Sequence, residues 1–573
     1  MKKILFALSI FLSNNIFAQQ TIFEKSNGTQ SATYFETIDF YKNLDKQSDI
    51  ISVKEMGETD AGYPLHLVMV STDKTFDPLK WRSQNKVVVM INNGIHPGEP
   101  DGIDASMLLV RDIKDKKINL PTNVVLAIIP VYNIGGCLNR NTSSRVNQDG
   151  PVAYGFRGNS QNLDLNRDFT KNDSKESKSF AKIFHWLKPA IFLDNHVSDG
   201  ADFQHTMTLI TTQYEKLGAP MDAVLHLLEK DLYAGMKTKN WDMIPYVEFD
   251  NANLQKGITM FYETPRYSSG YAALFGTLSF ISETHMLKPF KQRVTATYDL
   301  MKVFIEKSSL NAKSILAARV NDASQKIKQQ TFPLKWIADE SSIDNKINFS
   351  GYEQDSMKSE ATGLQKMYYN HNKPFTKEII FFNKYSATNI VQKPLAYIIP
   401  AGWYEVIERL KLNGVAIQQL KNDTTILVNI YKIESYKSRA NPYEKHHGNY
   451  AVKTSEKKDS MRFLKGDNII YMNQIANRYI VEMLEPIGDD SFFAWNFFDA
   501  ILQQKEGYSD YRWEDVAANY LKTNDALKQK LEDKKKSDPV FAKDARAILD
   551  FIYKNSPYYE PVHMRYPIFR INY

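Results

Sequence analysis

The chain has 573 residues, which is more than one ordinary hydrophobic core accommodates, so its length predicts two or three domains. A hydrophobic fraction of 43% and a charged fraction of 24% are ordinary for a soluble globular protein, and the small net charge of +6 gives no reason to expect nucleic acid as a partner. The single cysteine, Cys137, excludes an intramolecular disulfide and a cysteine-based metal site. Any metal must therefore be held by histidines and carboxylates.

The N-terminus has the pattern of an export signal. Lys2 and Lys3 precede the apolar run 4–12, and Ala18 offers a small residue at a suitable cleavage position. The run is too short to cross a bilayer as a helix; a buried N-terminal helix is the alternative. We predict that residues 1–18 are a signal peptide cleaved near Ala18, so that the mature protein is exported, either periplasmic or extracellular. No other uncharged stretch has spanning length, which predicts a mature chain without a membrane span.

The first half of the chain alternates apolar, strand-like runs with amphipathic helical stretches. This alternation predicts an α/β fold with a mixed, largely parallel sheet that is flanked by helices. In such sheets, ligands gather at the carboxyl ends of the strands. A helical stretch near 291–316 is expected to close the domain. The predicted strands lie at 65–70, 86–91, 124–129, 190–193, 207–210 and 278–281, and the predicted helices at 103–113 and 177–187.

The composition changes beyond Gln325. Short aromatic and β-branched runs, separated by turn residues, predict a small β-sandwich-like accessory region near 345–435. A polar, lysine-rich stretch at 435–460 indicates a loop or an exposed hairpin, and the C-terminal tail is again helical. We expect an α/β domain at 19–315, a linker at 316–345, a β-rich accessory domain at 346–500 and a helical C-terminal region at 501–573.

A candidate metal site follows two of the predicted strands. His96 and Glu99 come directly after strand 86–91, and imidazole nitrogen and carboxylate oxygen are both good zinc ligands. This pair alone is a weak signal, because a polar loop at a strand end has the same residue types. His196 follows strand 190–193, and two ligands close in sequence with one distant histidine are frequent in catalytic zinc sites. A lone histidine is more often structural, but its place after a strand of the same predicted sheet favours a metal.

Further polar residues suit substrate binding and proton transfer. Arginine binds a carboxylate with two parallel hydrogen bonds, and an adjacent asparagine adds a directional one, which makes Asn166 and Arg167 candidates. Arg157 lies a few residues upstream; for both arginines, a surface ion pair is the alternative. Glu283 follows strand 278–281, where a carboxylate beside a metal site could act as the general base of a hydrolysis. A loop or helix-terminal carboxylate is the other interpretation of Glu283.

Together these motifs resemble a known family. His-x-x-Glu at 96–99, Arg157, Leu-Asp-Leu-Asn-Arg-Asp-Phe at 163–169, Asp-x-His at 194–196 and a strand ending in Glu283 stand in one order along the chain. The same order of motifs is found in the zinc carboxypeptidases, so the chain resembles this family, the metallocarboxypeptidases (peptidase M14) related to pancreatic carboxypeptidase A. The resemblance spans residues 35–310 and implies a zinc-carboxypeptidase-like fold for this part of the chain.

The resemblance also implies a role for each residue. One zinc ion per chain would be bound, a water would attack the scissile carbonyl, and the substrate would be a peptide with a free C-terminal carboxylate. The implied residues are His96, Glu99 and His196 as zinc ligands, Asp164 as the acid that orients His96, Glu283 as general base, Arg157 as oxyanion partner, and Asn166 and Arg167 as the carboxylate clamp.

The chain departs from the family at the tyrosine that caps the substrate. Phe261 stands near the usual spacing, while Tyr267 and Tyr271 lie in a turn-rich loop suited to closing over a site; Tyr271 is slightly favoured. His285, directly after Thr284, is interpreted as structural. His446 and His447 lie in a polar stretch without partner ligands and are interpreted as solvated.

The leading prediction is therefore an exported zinc metallocarboxypeptidase. Hydrolysis of peptidoglycan stem peptides and amide deacylation are alternatives on the same scaffold, and Asn166 and Arg167 do not separate them because each substrate can carry a free carboxylate. A non-catalytic binding protein is the contrasting class. The intact set of metal ligands and the intact base argue against it.

Overall fold

The computed structural model describes residues 19–247 and 254–572, and the predicted signal peptide at 1–18 lies outside the described residues. The chain forms two compact units. The first extends to Lys328 and also includes Trp336–Thr388, while the second includes Gln329–Lys335 and the chain from Asn389 onward. The predicted accessory region, 346–500, therefore has residues in both units.

The α-helices are distributed along the whole described part of the chain, and they alternate with strands in its first half. The helices are α1 (Ile22–Lys25), α2 (Tyr34–Gln47), α3 (Pro78–Ser83), α4 (Asp101–Lys114), α5 (Ile134–Leu138), α6 (Lys175–Leu187), α7 (Tyr214–Leu217), α8 (Ala219–Thr238), α9 (Ser268–Leu274), α10 (Phe290–Leu310), α11 (Ala312–Lys328), α12 (Tyr404–Leu412), α13 (Asn477–Leu484), α14 (Asp510–Lys522), α15 (Asp525–Ser537) and α16 (Ala545–Lys554). Short 3-10 turns lie at Leu165–Arg167, Leu254–Lys256, Asp499–Leu502 and Phe541–Lys543. Within the part of the chain that the structure describes, none of the helices combines the length and the apolar character needed to cross a membrane.

Strands make up most of the middle of the chain. They are β1 (Ile51–Glu55), β2 (His66–Val70), β3 (Val87–Asn93), β4 (Val124–Ile129), β5 (Ile191–Ser198), β6 (Met207–Thr211), β7 (Ile244–Pro245), β8 (Ile258–Thr259), β9 (Leu278–His285), β10 (Thr331–Ala338), β11 (Lys346–Lys358), β12 (Gln365–Phe382), β13 (Tyr385–Gln392), β14 (Ala396–Ile399), β15 (Gln418–Gln419), β16 (Thr424–Ser438), β17 (Asn449–Phe463), β18 (Asn468–Tyr471) and β19 (Arg565–Ile571).

An eight-stranded sheet organises the first unit, in the order β1-β2-β4-β3-β5-β9-β6-β7. The central strands β4, β3, β5 and β9 run parallel to one another. β2 joins β4 antiparallel at one side, and β6 joins β9 antiparallel at the other. The predicted fold class, a mixed and largely parallel sheet flanked by helices, is confirmed.

The sheet is covered by helices on both faces because the central strands are apolar on both faces. Alternate residues of β3, such as Val87 and Val89, belong to the core that also contains residues of α2, α4, α8 and α10. On the opposite face, Phe192 of β5 packs its ring 5.7 Å from that of Phe180 in α6. The side-chain oxygen of Ser174 caps α6 at its start, and Lys188 ends it in the left-handed region just before Pro189.

Polar residues at the strand ends extend β5 and β9 beyond the predicted segments. In the parallel pairing of these strands, His196 lies opposite Glu283. A buried chain of hydrogen bonds fixes this end of the sheet: Ser282 Oγ donates to Asn195 Oδ1 at 2.7 Å, and Asn195 Nδ2 donates to Asn93 Oδ1 at 2.8 Å. Gly102 of α4 packs against these asparagines, since a Cβ there would stand 2.4 Å from Asn93 Oδ1.

The helix predicted near 291–316 is in fact two helices, α10 and α11, separated at Asn311. The Asn311 side chain accounts for the break, because its Nδ2 donates back to Lys307 O at 3.0 Å and also to Asp231 Oδ2 at 2.9 Å. The stretch predicted as a linker, 316–345, contains the end of α11 and the whole of β10.

The second unit contains a six-stranded antiparallel sheet in the order β15-β18-β14-β19-β16-β17. The expected β-sandwich is therefore wrong for these strands, whose apolar residues instead form one core on a single sheet. The lysine-rich stretch near 435–460 is part of the long β16–β17 hairpin. α14, α15 and α16 pack around Trp513, which confirms the helical C-terminal region.

Candidate active site

Three predicted metal ligands meet at the carboxyl ends of the central strands. His96 and Glu99 lie in the turn between β3 and α4, and His196 lies in β5. One ligand atom from each of these residues lies within 4.8 Å of the others, and all three residues are buried. These are the residue types and the spacing of a site that could hold a metal ion.

Carboxylates orient both imidazole rings. His96 Nε2 lies 2.9 Å from Asp164 Oδ1, and His196 Nε2 lies 3.1 Å from Asp194 Oδ2. A carboxylate can only accept from these nitrogens, so each Nε2 carries a proton and each Nδ1 is the atom left for a metal. His96 Nδ1 is 3.2 Å from Glu99 Oε1 but has no hydrogen-bond geometry to any described residue. The two rings therefore present Nδ1 to the same space.

The charges of this cluster suit a bound cation. Burial alone would lower the pKa of His196, but Asp194, Glu99 and Glu283 outweigh burial and raise it well above its ordinary value. Burial would raise the pKa of Glu99, yet His96, Arg145 and His196 hold it well below its ordinary value. His196 Nδ1 lies 3.1 Å from Glu99 Oε2, and a metal bound by both atoms would replace this contact, so metal binding is coupled to proton release. His, His and Glu, with each histidine held by a carboxylate, fit zinc.

Glu283 stands beside the ligand cluster, opposite His196 in the sheet. Its Oε2 is buried and has no hydrogen-bond partner among the described residues. Burial raises the pKa of Glu283 to about 8, and the carboxylates of Glu99 and Asp194 act in the same direction, while His196 and Arg157 oppose them. A nearby cation would lower this pKa toward the range in which a carboxylate exchanges protons near neutral pH.

Arg157 connects the ligand cluster to the loop that carries Asn166 and Arg167. Its Nε donates to Asp164 Oδ2 at 3.0 Å, and its Nη1 lies 3.8 Å from Glu99 Oε1. The side chain is 47% exposed, so the guanidinium can also be reached from solvent. The structure thus brings Arg157 next to two residues of the predicted site.

Asn166 and Arg167 lie in a 3-10 turn that Asp164 caps, because Asp164 Oδ1 accepts from Asn166 N at 2.9 Å. Arg167 Nη1 donates to Asn166 O at 2.8 Å, and its guanidinium stacks 4.6 Å from the centre of the Tyr267 ring. Tyr267, directly before α9, is half-buried. Asn166, Arg167 and Tyr267 are therefore neighbours on one side of the ligand cluster.

Tyr271 lies elsewhere, and the slight preference for it as a substrate cap is wrong. It is fully buried in α9, where its ring packs 5.3 Å from that of Phe184 and its hydroxyl lies 3.1 Å from His185 Nε2. The reason is that Ser268–Leu274 forms a buried helix rather than an open loop. Tyr267 remains as the candidate.

The other histidines singled out in the sequence have structural contacts. His285 Nε2 donates to Ala201 O at 2.8 Å while its Nδ1 accepts from Leu287 N, so the ring is neutral, and burial lowers its pKa to about 4. His446 packs its ring against Trp495, and His447 Nδ1 donates to Arg439 O. Among the described residues, neither His446 nor His447 belongs to a group that could hold a metal.

Two residues at the site were assigned no role by the sequence analysis. Asp194 lies two positions before His196 and accepts from both His196 Nε2 and Asn92 Nδ2. The Asp-x-His motif offered a signal for it. Arg145 donates from Nη1 to Glu99 Oε1 at 2.9 Å. Nothing in the spacing of this loop arginine indicated its contact with Glu99.

A buried ion pair joins the first residue of α4, Asp101, to Arg293 of α10. Arg293 Nε donates to Asp101 Oδ2 at 3.0 Å, and the two side chains are 0% and 2% exposed. The hydroxyl of Thr284, the residue after Glu283, also donates to Asp101. Arg293 additionally donates to Asp149 O and Gly150 O, at 2.9 Å each. This network ties the segment of Glu99 to that of Glu283.

Known proteins are similar to this chain over much of its length. A metallo-carboxypeptidase structure from Burkholderia cenocepacia is 17% identical, with 49% of this chain and 70% of that chain covered at a TM-score of 0.37; carboxypeptidase A from Helicoverpa armigera is 17% identical, with 52% and 75% covered at 0.35. Carboxypeptidase 2 of Trichophyton rubrum is 21% identical over 509 residues, which cover 82% of this chain and 84% of that protein. Residues 37–192, which include His96, Glu99 and Asp164, match the zinc carboxypeptidase family (Peptidase M14). The predicted resemblance to the zinc carboxypeptidases is therefore confirmed by the family match of residues 37–192.

Proposed function

We propose that this protein is an exported, zinc-dependent metallocarboxypeptidase that hydrolyses the C-terminal peptide bond of peptides. The observation that carries the proposal is the cluster of His96, Glu99 and His196, whose ligand atoms lie within 4.8 Å of one another beside Glu283, whose Oε2 is buried. The match of residues 37–192 to the zinc carboxypeptidase family supports it. Export rests on the sequence pattern of residues 1–18.

His96, Glu99 and His196 would hold one zinc ion, with Asp164 and Asp194 fixing the two imidazole rings. Zinc at such ligands supplies a Lewis acid that acidifies water and polarises a carbonyl group. The buried, unpartnered Oε2 of Glu283 suits a general base that takes a proton from water and passes it to the leaving amine. Arg157 would stabilise the negative charge that develops on the carbonyl oxygen, a contribution of the order of 10²–10³ in rate for one such donor.

Asn166 and Arg167 would bind the terminal carboxylate of the substrate. A guanidinium fork matches a carboxylate with two parallel hydrogen bonds, and Arg167 is already held by Asn166 O and the Tyr267 ring. Because these contacts already hold the Arg167 side chain, it loses less conformational entropy when the substrate binds. Tyr267 would cover the bound residue from the side of α9.

The proposal is tested by the release of free amino acids from peptides by the mature protein. Peptides with a free C-terminus should be cleaved and the same peptides with an amidated C-terminus should not, because the amide removes the charge that Arg167 binds. Glu283→Gln should lower kcat by at least about 10²-fold while the protein still binds zinc. Glu58→Gln, at an exposed glutamate, is the matched control and should retain wild-type turnover.

Three outcomes would count against the proposal. Equal cleavage of free and amidated peptides would exclude a carboxypeptidase. Turnover of muropeptides or N-acyl amino acids without turnover of ordinary peptides would favour the stem-peptide hydrolase or the deacylase instead. Full activity of Glu283→Gln would remove the assigned base.

A further inference from the structure

The Glu99 carboxylate has a partner that the proposed mechanism does not use. Arg145, in the loop between α5 and α6, donates from Nη1 to Glu99 Oε1 at 2.9 Å and from Nη2 to Val197 O at 3.4 Å. Its side chain is only 14% exposed. A guanidinium held this close to a candidate metal ligand requires an explanation.

Each of the three candidate ligands has one charged partner behind it. Asp164 holds His96, Asp194 holds His196, and Arg145 holds Glu99. Glutamate has three rotatable side-chain bonds, and a carboxylate ligand is fixed only when its oxygens are themselves hydrogen-bonded. Glu99 Oε2 accepts from Val197 N at 2.9 Å, so Arg145 supplies the corresponding contact for Oε1.

The surrounding chain is shaped to admit this arginine. Gly98, directly before Glu99, leaves the space that the Arg145 stem fills, because a Cβ at Gly98 would stand 2.6 Å from Arg145 Cδ. The Tyr154 hydroxyl accepts from Arg145 N at 3.2 Å, and Gln148 Nε2 donates to Gly98 O at 2.9 Å. The loop and the ligand turn are thus bound to each other at several points.

A second function for the Arg145 guanidinium would be direct contact with substrate. The Nη1 and Nη2 atoms, however, are both engaged with the ligand segment, and Nε is buried without a partner among the described residues. Arg157 is far more exposed and is the better placed of the two arginines to meet a substrate oxygen. The contacts of Arg145 are therefore those of a group that acts through Glu99.

We infer that Arg145 is a positioning residue, which holds the Glu99 carboxylate in place for the metal. The inference rests on the metal site of the proposed function. Loss of a partner of this kind weakens metal binding by about 10–100-fold in metal sites generally. Arg145 thus completes a set of three supports, of which the family resemblance implied only Asp164.

The test is the zinc affinity of the full mature protein, measured by competition with a chromophoric chelator. Arg145→Met keeps the length of the stem and removes the charge, and it should raise the zinc dissociation constant by about 10–100-fold. Arg145→Lys keeps the positive charge and should restore most of the zinc affinity, because an ammonium group can reach Glu99. The restoration should be incomplete, because the ammonium group cannot also bind Val197 O. Val146→Ser, at the exposed neighbouring residue, is the matched control and should match wild type.

A spectroscopic measurement separates this role from a substrate contact. With cobalt in place of zinc, the visible absorption of Arg145→Met should differ from that of the wild type, because the ligand carboxylate is free to turn. Unchanged or tighter zinc binding in Arg145→Met and Arg145→Lys, with an unchanged cobalt spectrum, would overturn the inference even if kcat or KM changed. Wild-type protein that binds zinc but releases no C-terminal residue would instead contradict only the proposed function.

Discussion

Replacement of Asp101 by alanine should strongly destabilise the first unit. The variant leaves the Arg293 guanidinium buried and without its carboxylate, while the contacts of that guanidinium with Asp149 O and Gly150 O remain. Removing one partner of a fully buried ion pair costs about 3–5 kcal/mol, because an uncompensated charge stays in a medium of low polarity. Asp101→Ala should therefore lower the free energy of unfolding by about that amount.

The measurement is urea unfolding followed by circular dichroism, with a double-mutant cycle. Asp101→Ala combined with Arg293→Met removes both charges, so the double variant should be destabilised by less than the sum of the two single variants. Glu378→Gln breaks the exposed Lys346–Glu378 pair in the same unit and should change stability by less than about 1 kcal/mol. A loss below about 1 kcal/mol for Asp101→Ala, or strict additivity in the cycle, would refute the reasoning.

Three further changes follow from the contacts. Asp164→Asn removes the charge behind His96 and should weaken zinc binding by about 10–100-fold in chelator competition; wild-type affinity would contradict this. Arg167→Ala should raise KM for peptides with a free C-terminus while zinc content stays at the wild-type level, and an unchanged KM would exclude Arg167 from carboxylate binding. Asp104 is fully buried, and burial raises its pKa to about 8. Its contribution to stability is complete below the unfolded pKa of about 3.9 and is lost as the pH rises through about 8. Asparagine does not titrate, so the thermal midpoint of Asp104→Asn minus that of the wild type should increase from pH 5 to pH 9. A difference between the two midpoints that does not change with pH would contradict the raised pKa of Asp104.

The sequence predicted the central sheet well because its strands are nearly continuous apolar runs. β4 has the predicted bounds, and β3 differs from its prediction by a few residues. β5 and β9 run further than predicted because their polar ends pair with each other in the sheet, as His196 and Glu283 do. A reading based on hydrophobicity takes such polar residues for loops.

The candidate site was predictable where residue types and order carry the chemistry, and not where tertiary packing decides. His96, Glu99 and His196 could be selected because their side chains bind metals and because they follow strands of one sheet. The sequence wrongly favoured Tyr271 as the substrate cap, because it does not reveal that the helix of Tyr271 is buried among aromatic rings. Arg145 was missed because its contact with Glu99 joins distant parts of the chain through an irregular loop.

The most direct test of the account is the zinc content of the mature protein together with its peptidase activity. The protein should bind one zinc ion per chain, lose the release of C-terminal residues when a chelator removes the metal, and regain it when zinc is restored. His196→Ala should abolish both zinc binding and activity. A wild-type protein that binds no zinc at neutral pH, or that cleaves peptides equally well after the metal is removed, would contradict the central claim.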